Sequence, residues 1–157
     1  MLENPTRFVV RSGVGVSKTS VINAVDKAML DAGVGDINMI KISSVLPKDI
    51  EKVEEIPEKI GAFRPCVISK ATGKNTRLAA GISYGFRNDD EGGYVMEHKM
   101  NSINLELDKF IDKMVEKLEQ MGEDRGISLK DIEYEYSNIE VGKDEYGCAI
   151  AVLVYLP

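Results

Sequence analysis

Ile40-Lys41-Ile42-Ser43-Ser44-Val45-Leu46-Pro47 is the stretch on which the reading of this chain turns. Its β-branched residues favour extended backbone, and Pro47 biases Leu46 away from helix, so Ser43-Ser44 is predicted where a strand gives out. A strand end is a place where backbone strain can be held. Paired serines at such an end also serve as ordinary turn or cap residues, and on these residues alone that reading stands.

Working outward toward the amino terminus, Asp36–Ile42 is predicted to be the strand that leads into the serines. Asn38, Ile40 and Ile42 share one of its faces, which sets an amide on a row otherwise apolar. Before it, Gly33-Val34-Gly35 makes a turn, and Thr19–Ala32 is predicted as a helix capped by Ser17 or Thr19 and stopped by Gly33. Val21, Ala24, Val25, Ala28 and Ala32 form its apolar stripe. Asp26 falls beside that stripe with Ile22 and Leu30 four positions to either side, so it is either a solvated rim carboxylate or a ligand group flanked by hydrocarbon. Phe8-Val9-Val10 is a first strand, and Ser12–Ser17 is read as a turn into the helix. Its glycines lack the third glycine of a dinucleotide loop and the Gly-Lys-Ser/Thr ending of a phosphate loop.

Toward the carboxyl terminus, Lys48–Lys59 is charged, broken by Pro57 and read as an irregular surface excursion. Strands are predicted at Pro65–Lys70, Leu78–Phe86 and Tyr94–His98, separated by turns at Thr72–Asn75 and Asn88–Gly93. Glu97 ends the third of these. Asn104–Met121 is predicted as an amphipathic helix from the spacing of Leu107, Phe110, Ile111, Met114, Leu118 and Met121. Ile132–Tyr136 alternates as a half-buried strand, and Gly142–Gly147 turns into Cys148–Leu156, an uncharged apolar run with the character of a central strand.

With 157 residues, 43% hydrophobic and 29% charged, the chain is expected to form one soluble domain. No apolar run approaches a membrane span. Met1–Pro5 lacks the basic start and apolar core of a signal peptide, so a cytoplasmic protein is expected. Cys66 and Cys148 show no paired spacing and His98 is the only histidine, which argues against a metal site and for two buried thiols. A net charge of −6 argues against a nucleic-acid partner and suits a cationic ligand. Two helices cannot cover both faces of so much sheet in a parallel fold, so an α/β sandwich is expected, with two packed sheets and helices outside.

Taken together, Asn23–Asp26, Ala32–Asn38, Ile42–Pro47, Met96-Glu97 and Gly147–Ala149 resemble, in order and with compatible spacing from Phe8 to Tyr155, the pyruvoyl-dependent arginine decarboxylases of archaea and some bacteria. The resemblance implies a four-layer αββα sandwich assembled as a trimer, with active sites at subunit contacts. It implies self-cleavage between Ser43 and Ser44 into a β chain of residues 1–43 and an α chain of residues 44–157. The Ser44 hydroxyl attacks the Ser43 carbonyl to give an ester, and β-elimination followed by hydrolysis leaves a pyruvoyl group in place of Ser44.

On the same resemblance, a Schiff base between that ketone and arginine accepts the electron pair left by CO2 without pyridoxal phosphate or metal, and agmatine is the product. Glu97 is implied as the proton donor to carbon, and Asn38 as the amide near the oxyanion of the cleavage step. Asp26, Ser43 and Gly35 are implied at the substrate, Asp26 meeting the guanidinium. The segments around Lys48–Lys59 and Asn88–Gly93 depart from the family pattern, as does His98 beside Glu97, where its imidazole is expected to influence the acid. Two other readings use the same scaffold: a decarboxylase of another amino acid, and an uncleaved relative that binds small cations without turnover.

Overall fold

Cys148–Leu156 is buried along its whole length because it has a different partner on each face. It is the carboxyl half of β7 (Leu129–Leu156), lying between β1 (Arg7–Ser17) and the first half of β5 (Phe63–Arg87). Cys148, Ile150, Val152, Val154 and Leu156 pack with Ala24, Ala28 and Ala32 at the helix α1 (Val21–Asp31). The alternate residues Ala151, Leu153 and Tyr155 pack instead with Phe8, Val67, Ile82 and Val95, all from strands. Two covered faces explain why the run is apolar without alternation.

The computed structural model describes residues 3–57 and 59–157. Met1, Leu2 of the amino-terminal segment and Glu58 of the Lys48–Lys59 segment lie outside the described residues. The remaining elements are β2 (Asn38–Lys41), β3 (Val45–Leu46), β4 (Glu51–Lys52), β6 (Gly93–Asn101) and α2 (Leu107–Asp124). The fold is mixed α/β, with one curled seven-stranded sheet in the order β3-β6-β5-β7-β1-β4 and β2 beside β5.

The curl comes from two strands that the sequence reading had broken into pieces. Thr72–Asn75 is a bend inside β5, with Asn75 at φ 48° and a register shift between Lys74 and Thr76. Gly142–Gly147 is likewise an excursion inside β7, and the two bends face each other across one ladder. The first half of β5 therefore pairs with the second half of β7, and the second half of β5 with the first half of β7. A turn would have ended each strand; here the pairing resumes beyond the bend.

Ser12–Ser17 is also corrected, since β1 runs straight through it. A Cβ on Gly13 or Gly15 would collide with the α1 backbone at Ala28 or Ala24, so these glycines let helix and strand touch closely. The helix starts later than expected because Ser20, not Ser17 or Thr19, accepts the Asn23 amide, at 3.1 Å. Gly33, at φ 76°, follows its end as predicted. Within Lys48–Lys59, Glu51-Lys52 pairs in parallel with Arg7-Phe8. Helix α2 begins and ends about a turn later than predicted, and Phe110, Met114, Leu118 and Gly122 form its buried face. No described helix is long and apolar enough to cross a membrane.

Candidate active site

The chain changes partners at the serine pair. Up to Ile42 it follows β5, and the Ile42 amide donates to the Cys66 carbonyl at 2.9 Å. From Ser44 it follows β6, whose Val95 amide donates to the Ser44 carbonyl at 3.0 Å. One residue on, the Tyr155 hydroxyl donates to the Val45 carbonyl at 2.9 Å. Burial pushes the Tyr155 phenol up to about 12, so its proton is in place across the neutral range. Ser43 is exposed and Ser44 half-buried, while Leu46 is fully anchored in the core. The Ser43–Ser44 peptide thus lies between two fixed points on different strands.

Glu97 lies two positions beyond Val95 on the same face of β6. Its carboxylate meets the Lys41 ammonium at 3.4 Å, a bond from β6 to the end of β2. Both line a cleft of about 530 Å³ with Ile68, Ser69, Lys99 and Lys117. His98, next in sequence, lines the same cleft and stacks on Phe110 of α2, ring centroids 4.8 Å apart. Its Nδ1 accepts from Lys117 Nζ at 3.1 Å, because an ammonium has only donors to offer. Burial, together with Lys117 and Lys113, holds the imidazole below its ordinary range, as a ring packed against a helix at the wall of the cleft that Glu97 also lines.

A second cleft, of about 300 Å³, is lined by Asp26, Gly35, Asn38, Lys41, Cys66 and Ile68 among others. Asp26 projects from α1 between exposed Ile22 and Leu30, 77% and 54% accessible, so its apolar flanks are real and open to a ligand. Burial pushes the Cys66 thiol up to about 11, which leaves it a protonated wall of this cleft. Lys41 and Ile68 belong to both clefts and join them.

The geometry brings together Asp26, Gly35 and Asn38 in one cleft and Glu97 in the next. Ser43 and Ser44 line neither. Asn38 stands five positions before Ser43, roughly 16 Å along an extended chain. Its amide donates to the Gly61 carbonyl at 3.0 Å, so within one chain it is not beside the Ser43 carbonyl, contrary to the sequence reading. Lys41, Val95 and Tyr155 were not singled out from the sequence. Only Lys41 carried a signal there, as the one charge in Ile40–Pro47.

A family model described as "Pyruvoyl-dependent arginine decarboxylase (PvlArgDC)" matches residues 7–157. Relatives named pyruvoyl-dependent arginine decarboxylase include one from Thermococcus sibiricus, 34% identical over 140 residues, covering 87% of this chain and 86% of the relative. Those from Pyrococcus abyssi and Methanothermobacter thermautotrophicus are 32% and 29% identical, the latter covering 96% of both chains. Among solved structures, a pyruvoyl-dependent histidine decarboxylase superposes with a TM-score of 0.52 at 15% identity. The match covers 66% of this chain and 54% of that one, so the chain spans about half the length of that structure and the likeness concerns the fold.

Proposed function

The chain belongs to the pyruvoyl-dependent arginine decarboxylase family, and from that premise we propose that it converts L-arginine to agmatine and CO2 with a ketone made from its own Ser44. The observation that carries this is the change of partner at Ser43-Ser44. A peptide fixed at Ile42 on one side and at Ser44 and Val45 on the other supports self-cleavage into residues 1–43 and 44–157. Attack by the Ser44 hydroxyl on the Ser43 carbonyl, elimination and hydrolysis release ammonia and the Ser43 carboxylate.

The residues present fit the group. The carbonyl of residue 44 is already held by a donor, and the segment needs no movement on the Val45 side to keep it. A pyruvoyl group supplies a ketone that binds the substrate amine and draws electrons from its α-carbon, without pyridoxal phosphate. Asp26 receives the guanidinium as a paired, planar contact between its apolar flanks. Gly35 and the freed Ser43 carboxylate line the substrate's path, and Glu97 delivers the proton to carbon.

This reading includes a four-layer αββα sandwich in a trimer, in the cytoplasm, without metal, nucleic acid or membrane as partner. Support for the layers is the separate packing of α1 on one half of the curl and α2 on the other, with a cluster free of helix residues between. Support for self-association is edge strand β2, where Ile40, Ile42 and neighbouring Phe63 are 49%, 40% and 68% exposed. Sharing the site between copies also gives Asn38 a role: its amide serves the Ser43 carbonyl of an adjacent copy, which one chain alone does not allow.

Incubating the protein with carboxyl-labelled arginine tests the reading. Labelled CO2 is expected without added pyridoxal phosphate, and borohydride together with arginine should inactivate. Release of CO2 only after pyridoxal phosphate is added would refute it.

A further inference from the structure

We infer that the backbone N–H of Val95 is a catalytic hydrogen-bond donor to the carbonyl oxygen of residue 44, and that Tyr155 is the positioning residue that keeps that oxygen aimed. The inference rests on the reading that Ser44 becomes the ketone. It concerns what the reaction does to the atom next to it.

Cleavage between Ser43 and Ser44 leaves the carbonyl of residue 44 and everything beyond it intact. Both hydrogen bonds on that side, Val95 N–H to the Ser44 oxygen and Tyr155 O–H to the Val45 oxygen, therefore outlast it. Once the ketone has formed, the carbonyl of residue 44 is bonded directly to it. When the carbon–carbon bond to the α-carboxylate breaks and CO2 leaves, its electron pair spreads through the connected double bonds to this oxygen. It returns to the α-carbon when that carbon takes its proton.

A donor at 3.0 Å is in place before charge arrives. Val95 is fully buried and sits in the β6–β5 ladder opposite Tyr84, so the N–H does not reorganise. Tyr155 is 1% exposed, in the same interior cluster as Val95. Its hydroxyl holds the next carbonyl along and fixes the plane of the peptide between residues 45 and 46, which anchors the chain one peptide beyond the oxygen that Val95 holds.

The test replaces Val95 with its 2-hydroxy acid, which exchanges one N–H for an ester oxygen. Three readouts are taken on the parent and the ester protein: chain masses, the carbonyl ¹³C resonance of residue 44 after labelling serine at C1, and steady-state turnover of arginine. That resonance stands apart from peptide carbonyls because it adjoins a ketone.

In the ester protein complete scission, an upfield move of the resonance and a fall in kcat of about 100-fold are expected. Complete scission with the resonance unmoved and kcat within about 2-fold of the parent overturns the inference. Tyr155→Phe should move the same resonance with a smaller loss of kcat; a resonance and kcat equal to the parent's remove its positioning role. If the ester protein fails to fold, hydrogen exchange on the mature parent decides: Val95 N–H should exchange as slowly as the β7 core, and rapid exchange overturns the inference. Absence of scission or turnover in the parent would instead refute the proposed function, a separate outcome.

Discussion

The Lys41 ammonium at the end of β2 lies 3.4 Å from the Glu97 carboxylate on β6, and Lys41 is the charged side chain common to the two clefts. The pair is largely in water, 63% and 39% exposed, so it contributes little to the fold. Lys41→Met should change unfolding free energy by less than about 1 kcal/mol while raising KM for arginine. Urea unfolding beside steady-state kinetics checks this; a large stability loss would make Lys41 structural.

Glu97→Gln keeps size and hydrogen bonding and removes the transferable proton. Decarboxylation should fall by about 10² to 10⁴-fold while chain scission proceeds. Near-parental turnover in cleaved Glu97→Gln protein would take the proton donor's role from Glu97.

Asp26→Asn removes the charge from the cleft that carries Gly35 and Asn38. KM for arginine should rise by about 10 to 100-fold, as for loss of a charge-assisted pair, with scission unaffected. An unchanged KM would move the guanidinium elsewhere.

Gly15→Ala places a methyl group against the α1 backbone, where Ala28 N lies only 2.5 Å from the added carbon. A loss of about 1 to 3 kcal/mol in urea unfolding is expected, because neither the strand nor the helix is free to move. Parental stability would mean that α1 shifts easily on β1.

His98 is held below the ordinary imidazole value of 6.5 by burial and by Lys117 and Lys113. The unfolded chain therefore takes up this proton at higher pH than the folded one. Its contribution to stability is complete above 6.5 and is lost as pH falls through the depressed folded value. His98→Gln should flatten the stability profile in that window, measured as urea midpoints against pH; parallel profiles would contradict the half-buried, neutral ring.

What the sequence made legible follows from where the physics is local. Cys148–Leu156 and the α2 stripe were readable because burial on one or two faces writes directly into residue type. The bends at Thr72–Asn75 and Gly142–Gly147 were not, since glycine and polar residues suit a turn and a bend equally. Which of the two forms depends on a pairing partner distant in sequence. Gly13 and Gly15 misled for the same reason, their purpose being an approach by α1 that no local pattern records. At the site, the residues came from a resemblance and their grouping from the fold: Asp26, Gly35 and Asn38 converge, while Asn38 in β2 and Ser43 beyond its end stand five positions apart along the chain. Tyr155 reads in the sequence as one more core residue, because its hydroxyl bond is made to a main-chain oxygen.

The mass of the intact, denatured protein bears on the central claim most directly. Two chains are expected, residues 1–43 and residues 44–157, the second lacking the elements of ammonia relative to a serine and ending in a keto group at residue 44. A preparation active on arginine in which one unbroken chain of 157 residues accounts for the protein would contradict the account.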